Sequence, residues 1–140
     1  MYAYQQEEGV DIRVVRIFNT FGPRMDLDDG RVVSNFIKAA LNQENLTIYG
    51  DGNQTRSFQY VHDLIDGIIR TMESSYTLPI NLGNPDEYTI KDFAIYIISL
   101  SHSQSEIVHI DAAKDDPLQR KPDITLASKV LGWKPRFPLK

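Results

Sequence analysis

The residues best suited to chemistry in this sequence are four hydrogen-bond donors in the segment RIFNTFGPRMDLDDGR, at positions 16–31. They are Asn19, Thr20, Arg24 and Arg31. Two of them carry a fixed positive charge, so together they suit an anionic ligand. The preceding residues 11–18 (DIRVVRIF) are rich in β-branched side chains, which predicts a buried strand of an α/β sheet. Ligands of open α/β sheets bind beyond the carboxyl ends of strands, so we expect an anion site in this loop.

Composition restricts the classes of partner. The chain has 140 residues, of which 41% are hydrophobic, enough for one domain with a core. A formal charge of -4 argues against a nucleic-acid-binding surface, which needs an extended basic face. The sequence contains no cysteine for disulfides or thiolate metal sites, and no apolar stretch approaches the ~20 residues that span a membrane. His62, His102 and His109 lack neighbouring ligands at metal-binding spacing, so we expect no metal site.

Helical and strand patterns alternate along the chain, which predicts the α/β class. Helices are predicted at 1–8 with Gly9 as the stop, at 31–43, at 61–72, at 90–101 and from about 124 to Gly132. Strands are predicted at 11–18, 46–49, 56–60, 78–82 and 105–110, and a Gly-rich turn at 50–53 separates two of them.

Caps and core residues follow from the same patterns. Thr89 and Asp92 match a capping box at the start of the fourth helix, and Asp123 is expected to cap the fifth. His62 and Asp63 are interpreted as capping the third helix. The predicted core positions are Val32, Val33, Phe36, Ile37, Ala40 and Leu41 on the second helix, Val61, Leu64, Ile65, Ile68, Ile69 and Met72 on the third, with Phe93, Tyr96 and Trp133.

Five segments carry a family pattern. They are RIFNTFGPRM at 16–25, DGRVVSNFI at 29–37, YGDGNQTRSFQYVHDLIDGI at 49–68, NLGNP at 81–85, and DDPLQRKPDI followed by LGWKP between 115 and 135. With these motifs the chain resembles the C-terminal half of the extended short-chain dehydrogenase/reductase family of nucleotide-sugar enzymes. The run at 49–68 is shared by epimerases, dehydratases and decarboxylases. The pairing of FNTFGPRM with QRKPDI most closely resembles the UDP-glucuronate decarboxylases.

This resemblance implies a fold and a boundary. Residues 1–140 would form the C-terminal part of a Rossmann-type enzyme, with its small substrate-binding α/β lobe. Family members bind NAD through a GxxGxxG turn and use a Tyr-x-x-x-Lys pair in catalysis, and neither pattern occurs here. We therefore expect residues 1–8 to be the tail of the helix that carries that pair. Both ends of the sequence are expected to cut through a longer protein, whose N-terminal NAD-binding half is absent here. This chain alone is expected to be inactive.

The resemblance also implies roles for three arginines and a tyrosine. Arg56 resembles the diphosphate-binding arginine, beside the uracil-contacting Tyr49, and Arg31 would approach the nucleotide from the start of its helix. Arg120 would lie over the sugar or diphosphate and stabilise charge during the reaction, a catalytic role. The residue types alone also allow a solvated strand arginine at 56, a surface residue at 31 and a charged solvated loop at 120.

Two further residues follow the first strand. By resemblance Asn19 contacts the substrate and Thr20 lies near the nicotinamide end of NAD, although both also fit an ordinary turn. Arg24 is interpreted as pairing with Asp26, Asp28 or Asp29 and holding the loop. The acidic groups at 26–29 and 115–116 could suggest a divalent cation, but nearby arginines are the simpler partners.

For the whole enzyme the resemblance implies conversion of UDP-glucuronate to UDP-xylose. NAD would oxidise the sugar at C4, carbon dioxide would leave from the β-keto acid, and NADH would reduce the product. The alternatives are a nucleotide-sugar 4-epimerase or 4,6-dehydratase on the same fold, or a non-catalytic dimerisation or binding lobe. The resemblance further implies a homodimer, through the helix bearing Tyr2 and Tyr4, and a cytosolic location or, with an N-terminal anchor, the Golgi lumen.

Overall fold

The structure is a computed structural model that describes residues 1–111 and 119–139, and its α/β composition confirms the predicted fold class. The elements, in chain order, are α1 (Tyr2–Glu8), β1 (Val15–Ile17), β2 (Thr20–Phe21), α2 (Val32–Leu41), β3 (Leu46–Tyr49), β4 (Thr55–Ser57), β5 (Gln59–Tyr60), α3 (Val61–Glu73), β6 (Ile80–Leu82), β7 (Glu87–Thr89), α4 (Ile90–Ser101), β8 (Ile107–Ile110), β9 (Gln119–Arg120) and α5 (Thr125–Leu131). None of these helices combines the length and the apolar character needed to cross a membrane.

The chain divides into two compact units, each built from separate stretches of sequence. The first unit contains residues 1–20, 58–85 and 122–140. Its β1 and β6 are parallel, and its core consists of Leu64, Ile80, Leu82, Ala127 and Trp133. Gly67 on α3 is needed there, because a Cβ at this position would lie 2.9 Å from the Leu82 methyl groups and 3.1 Å from the Trp133 ring. The small residue thus allows α3 to pack directly on β6.

The second unit contains residues 21–57 and 86–121. Its β3 and β8 form a parallel pair, and β7, β4 and β9 form a three-stranded sheet in that order. Apolar side chains of α2 and α4 meet above the first pair, where the Phe36 and Phe93 rings stack with their centroids 5.9 Å apart. Leu46 and Ile48 are fully buried, so alternate residues of β3 complete this core.

All five predicted helices are present, and their ends confirm the local signals. Gly9 and Gly132 end α1 and α5 in the left-handed conformation, with φ of 64° and 60°. The Thr89 hydroxyl accepts a hydrogen bond from the Asp92 amide at 2.9 Å and so caps α4. The predicted cap at Asp123 is wrong by one position: Ile124 is the N-cap residue, although the Asp123 carboxylate accepts the Thr125 amide at 2.9 Å.

The strands are shorter than predicted. The strand expected at 11–18 covers only Val15–Ile17, those expected at 78–82 and 105–110 begin two residues later, and the strand expected at 56–60 is interrupted at Phe58 to give β4 and β5. Thr20 and Arg120 were assigned to loops but lie in the two-residue strands β2 and β9. Strand length depends on where partner segments run alongside, and local composition does not carry that information.

Several predicted core positions are exposed. Leu41, Ile65, Ile69 and Met72 have between 48 and 67% of their surface accessible, whereas Leu64, Phe93 and Trp133 are buried as predicted. The buried face of α3 instead contains Asp63, Gly67 and Thr71 beside Leu64. Helical spacing identified the two apolar helices. The prediction of their buried face was partly wrong, because that face depends on the neighbouring elements.

Candidate functional site

Two guanidinium groups lie on neighbouring strands of the second unit. The register of the parallel pair β4 and β9 places Arg56 opposite Arg120, and the antiparallel pair β4 and β7 places Arg56 opposite Tyr88. Residues opposite each other share one face of a sheet, so the three side chains form a row. Guanidinium groups donate charge-assisted, often paired hydrogen bonds to carboxylate and phosphate oxygens. Donors arranged in this way could hold an anion on this face of the sheet.

Arg56 is buried in this row. It is 7% exposed, and its Nη1 donates to the carbonyl oxygen of Thr55 at 2.7 Å. The alternative of a solvated strand arginine is therefore wrong. Arg120 by contrast is exposed, and its main-chain oxygen accepts a hydrogen bond from the Ser57 hydroxyl at 3.1 Å. Burial of Tyr88 raises the pKa of its phenol, so this tyrosine is a neutral hydrogen-bonding group at the end of the row.

The opposite face of this sheet carries a carboxylate with three partners. The Glu87 Oε1 atom accepts hydrogen bonds from the Thr55 hydroxyl at 2.8 Å and the Gln119 amide at 2.6 Å. Its Oε2 atom lies 3.4 Å from the Lys121 Nζ. The hydrogen bonds from Gln119 and Thr55 lower the pKa of Glu87, so the group is ionised at neutral pH.

Arg31 lies at the N-terminal end of α2, as expected. It is the N-cap residue, its amide donates to the Asp29 carboxylate at 2.9 Å, and its Nε lies 3.6 Å from the same carboxylate. Hydrogen bonds from the Ser34 hydroxyl and the Arg31 amide lower the pKa of Asp29. The Arg31 side chain is 63% exposed, so its guanidinium group is accessible to a ligand. Both interpretations of Arg31 stay open.

Tyr49 ends β3 and is 54% exposed. Its carbonyl oxygen accepts a hydrogen bond from the Gln54 side chain at 2.8 Å, which closes the Gly-rich turn beneath the ring. Tyr49 belongs to a different sheet from Arg56, because β3 pairs with β8. An open depression of about 590 Å³ begins at the next residue, Gly50, and is lined by Asp51, Lys91 and His109 among others.

Asn19 and Thr20 lie in the first unit, after β1. The Asn19 carbonyl oxygen accepts the Gln59 amide at 2.9 Å, and within residues 1–111 and 119–139 no hydrogen bond to its side chain occurs. The Thr20 hydroxyl donates to the Phe18 carbonyl at 2.8 Å and accepts from the Gln59 side chain at 3.1 Å. Gln59 also donates to the Leu82 carbonyl at 2.9 Å, so this buried amide joins the ends of β1 and β6. Among the described residues the Asn19 side chain makes no hydrogen bond, whereas the Thr20 hydroxyl both donates and accepts one.

Two interpretations of polar residues are corrected. Arg24 forms no ion pair with Asp26, Asp28 or Asp29 in the described part of the chain. Asp28 pairs with Lys38, and Asp29 pairs with Arg31. His62 and Asp63 do not cap α3: its N-cap residue is Tyr60, and the Tyr60 side chain makes no capping hydrogen bond to the helix. The His62 ring packs edge-on against Tyr60 at 4.9 Å between centroids.

Metal-binding groups are not assembled in the described residues, where no three His, Asp or Glu side chains are grouped to hold an ion. The acidic pair at 115–116, considered above as an alternative cation site, lies outside the described residues. Sequence reasoning missed Glu87, Gln59 and Tyr88. The only signal for Gln59 was a polar residue inside an apolar run, and Glu87 and Tyr88 became visible only through their strand register.

Comparison with known proteins gives a family and several relatives. The model of the NAD dependent epimerase/dehydratase family matches residues 1–83. The chain is 56% identical over 138 residues to UDP-glucuronic acid decarboxylase 1 of Danio rerio, covering 99% of this chain and 33% of the relative. It is 52% identical over 140 residues to UDP-glucuronic acid decarboxylase 5 of Arabidopsis thaliana, covering 100% of this chain and 41% of the relative. The chain thus spans between a third and two-fifths of these relatives.

Two solved structures of similar fold are UDP-sugar epimerases. UDP-glucuronic acid 4-epimerase from Bacillus cereus, in complex with UDP-glucuronic acid and NAD, is 29% identical with a TM-score of 0.86, over 99% of this chain and 44% of that chain. UDP-glucose 4-epimerase from Thermotoga maritima, with UDP-glucose, is 28% identical with a TM-score of 0.91, over 99% of this chain and 45% of that chain.

Proposed function

The chain belongs to the NAD-dependent epimerase/dehydratase family, and from that premise we propose that it is the UDP-sugar-binding part of a UDP-glucuronate decarboxylase. The whole enzyme would convert UDP-glucuronate to UDP-xylose and carbon dioxide. Identities of 52 and 56% to decarboxylases of a plant and a vertebrate, along essentially all of this chain, support that assignment.

The opposed pair Arg56 and Arg120 is the observation that carries the proposal. UDP-glucuronate brings a diphosphate and a carboxylate, and burying such charges without fixed cationic donors would be costly. We assign the diphosphate to Arg56 and Arg31, and the uracil ring to Tyr49. Arg120 is assigned to stabilisation of charge during the reaction.

Asn19 is assigned to the sugar. Its side-chain amide is half-buried at the carboxyl end of β1, which is where open α/β sheets bind their ligands. An amide there can both donate to and accept from sugar hydroxyls, which matches the chemistry of the substrate.

NAD is proposed as the cofactor of the whole enzyme, where it would supply the hydride chemistry. The residues present here do not form a dinucleotide site: the sequence has no GxxGxxG turn, and the Thr20 hydroxyl is engaged by Phe18 and Gln59. We therefore assign the NAD cradle and the Tyr-x-x-x-Lys pair to an N-terminal half outside these 140 residues. Thr20 would lie beside the nicotinamide end without holding the dinucleotide.

The decisive experiment supplies the full-length protein and NAD with UDP-glucuronate and measures carbon dioxide and UDP-xylose. We expect both products in equal amounts, and no turnover from the 140-residue chain alone because it lacks the catalytic pair. The two solved structures described above are UDP-sugar 4-epimerases, which favours 4-epimerisation as the second candidate. UDP-galacturonate formed without carbon dioxide would replace the decarboxylase proposal with that alternative.

A homodimer is the assembly we propose, through α1. No residue of α1 is buried, and Tyr2 and Tyr4 are 43 and 68% exposed. An exposed aromatic pair of this kind on a helix suits a protein interface. Sedimentation equilibrium of the full-length protein is expected to give twice the mass of one chain, and a Tyr4→Glu substitution to shift the equilibrium to the monomer. The cytosol is the proposed compartment, with the Golgi lumen as the alternative.

A further inference from the structure

We propose that Glu87 is a positioning residue, which holds Arg120 opposite Arg56 from the other face of the sheet. The inference rests on the proposed function, because it assigns a role in the same UDP-glucuronate site. Glu87 itself would not touch the substrate.

Strand β9 depends on side-chain contacts for its position. It contains only Gln119 and Arg120, both exposed. Its backbone pairs with β4 over two residues, Thr55 with Gln119 and Arg56 with Arg120. Two ladder positions provide few hydrogen bonds to fix a register, so additional contacts determine whether the strand stays in place.

The Ser57 hydroxyl donates to the Arg120 carbonyl oxygen, and Glu87 supplies the side-chain contacts at both flanks of Arg120. Its carboxylate bonds the Gln119 side chain at 2.6 Å and lies 3.4 Å from Lys121. The same carboxylate accepts from the Thr55 hydroxyl at 2.8 Å, which ties it to β4 immediately before Arg56. One group on β7 therefore links the residues next to both arginines, and 20% exposure of its side chain keeps these bonds partly shielded from water.

The alternation of side chains along the strands places Glu87 and the proposed arginine site on opposite faces of the sheet. Successive residues of a strand point to opposite faces. Thr55, Gln119 and Glu87 are therefore on one face, while Arg56, Arg120 and Tyr88 are on the other. Glu87 thus influences the reaction through the backbone position of Arg120.

The test is a double-mutant cycle in the full-length enzyme, with kcat/KM for UDP-glucuronate as the measurement. Glu87→Ala is expected to lower kcat/KM roughly 10- to 100-fold, the range that misplacement of a catalytic group produces. Glu87→Gln keeps the oxygen that accepts from Thr55 and Gln119 and loses only a half-exposed ion pair, so it should stay within about fivefold of wild type. Glu106→Ala removes an exposed carboxylate of the same unit and serves as the control.

The cycle distinguishes positioning from general destabilisation. If Glu87 acts through Arg120, Glu87→Ala has little further effect in an Arg120→Ala background, so the two losses are not additive. Additive losses, or Glu87→Ala activity equal to that of Glu106→Ala, would overturn the inference. If the wild-type enzyme releases no carbon dioxide, the decarboxylase proposal alone fails. The same set of variants then still tests Glu87, with the affinity for UDP-glucuronate measured by calorimetry in place of kcat/KM.

Discussion

At the scale of single residues, the two arginines of the candidate site differ in how they are held. Arg56 is buried and Arg120 is exposed, although they are paired residues on neighbouring strands. A buried guanidinium has little rotational freedom left to lose on binding, and it presents its planar donors in a fixed direction. We therefore expect Arg56 to determine affinity for the diphosphate, and Arg120 to adapt to the sugar.

Substitution of Arg56 by lysine tests this division. Lysine keeps the charge but cannot provide a forked donor, so at least one charge-assisted bond to the diphosphate is lost. Such bonds contribute roughly 1.5–3 kcal/mol, so Kd for UDP should rise about 10- to 100-fold in calorimetry on the full-length protein.

Arg136→Lys is the matched control for that substitution. The Arg136 Nη2 lies 3.9 Å from the Asp66 carboxylate, and its side chain is 66% exposed. Exposed ion pairs contribute little, so the affinity for UDP should be unchanged. Equal affinity of the Arg56→Lys and wild-type proteins would remove Arg56 from the diphosphate site.

At the scale of elements, the sequence predicts where helices begin and end better than it predicts which strands pair. Thr89 caps α4 and Gly9 ends α1 because a hydroxyl and a left-handed glycine act within one turn of their own helix. The strand β9 could not be predicted in this way, since its existence depends on β4, more than sixty residues earlier in the chain. The same limit explains why Ile65 and Ile69 of α3 were predicted to be buried.

The same distinction between local signals and strand pairing applies to the candidate site. Residue type and family resemblance predict Arg56 and Arg120 as candidates, because a guanidinium group can donate charge-assisted hydrogen bonds to an anion. The row that they form, and the contacts of Glu87 on the opposite face, can be identified only from the register of three strands. Charge is a property of one residue, whereas position in a sheet is a property of several segments.

At the scale of the whole molecule, each unit is closed by contacts between distant stretches of sequence. In the first unit the residues after Trp133 return to the start of α3. The Asp63 Oδ2 atom accepts hydrogen bonds from the amides of Arg136 and Phe137 at 3.0 Å each, and the Asp63 carbonyl accepts from the Trp133 indole at 3.0 Å. Asp63 is completely buried, so one polar side chain holds the backbone of residues 136–137 on the helix.

Removal of that side chain should therefore destabilise the unit as a whole. Asp63→Ala leaves two amides without their acceptor, and we expect the free energy of unfolding to fall by about 2 to 4 kcal/mol in urea titrations. Asp63→Asn retains an accepting oxygen and should lose less than half of that. Asp66→Ala on the same helix breaks only partly exposed ion pairs with Arg70 and Arg136, and its effect should stay below about 1 kcal/mol. Equal losses for Asp63→Ala and Asp66→Ala would show that the returning segment contributes no stability through Asp63.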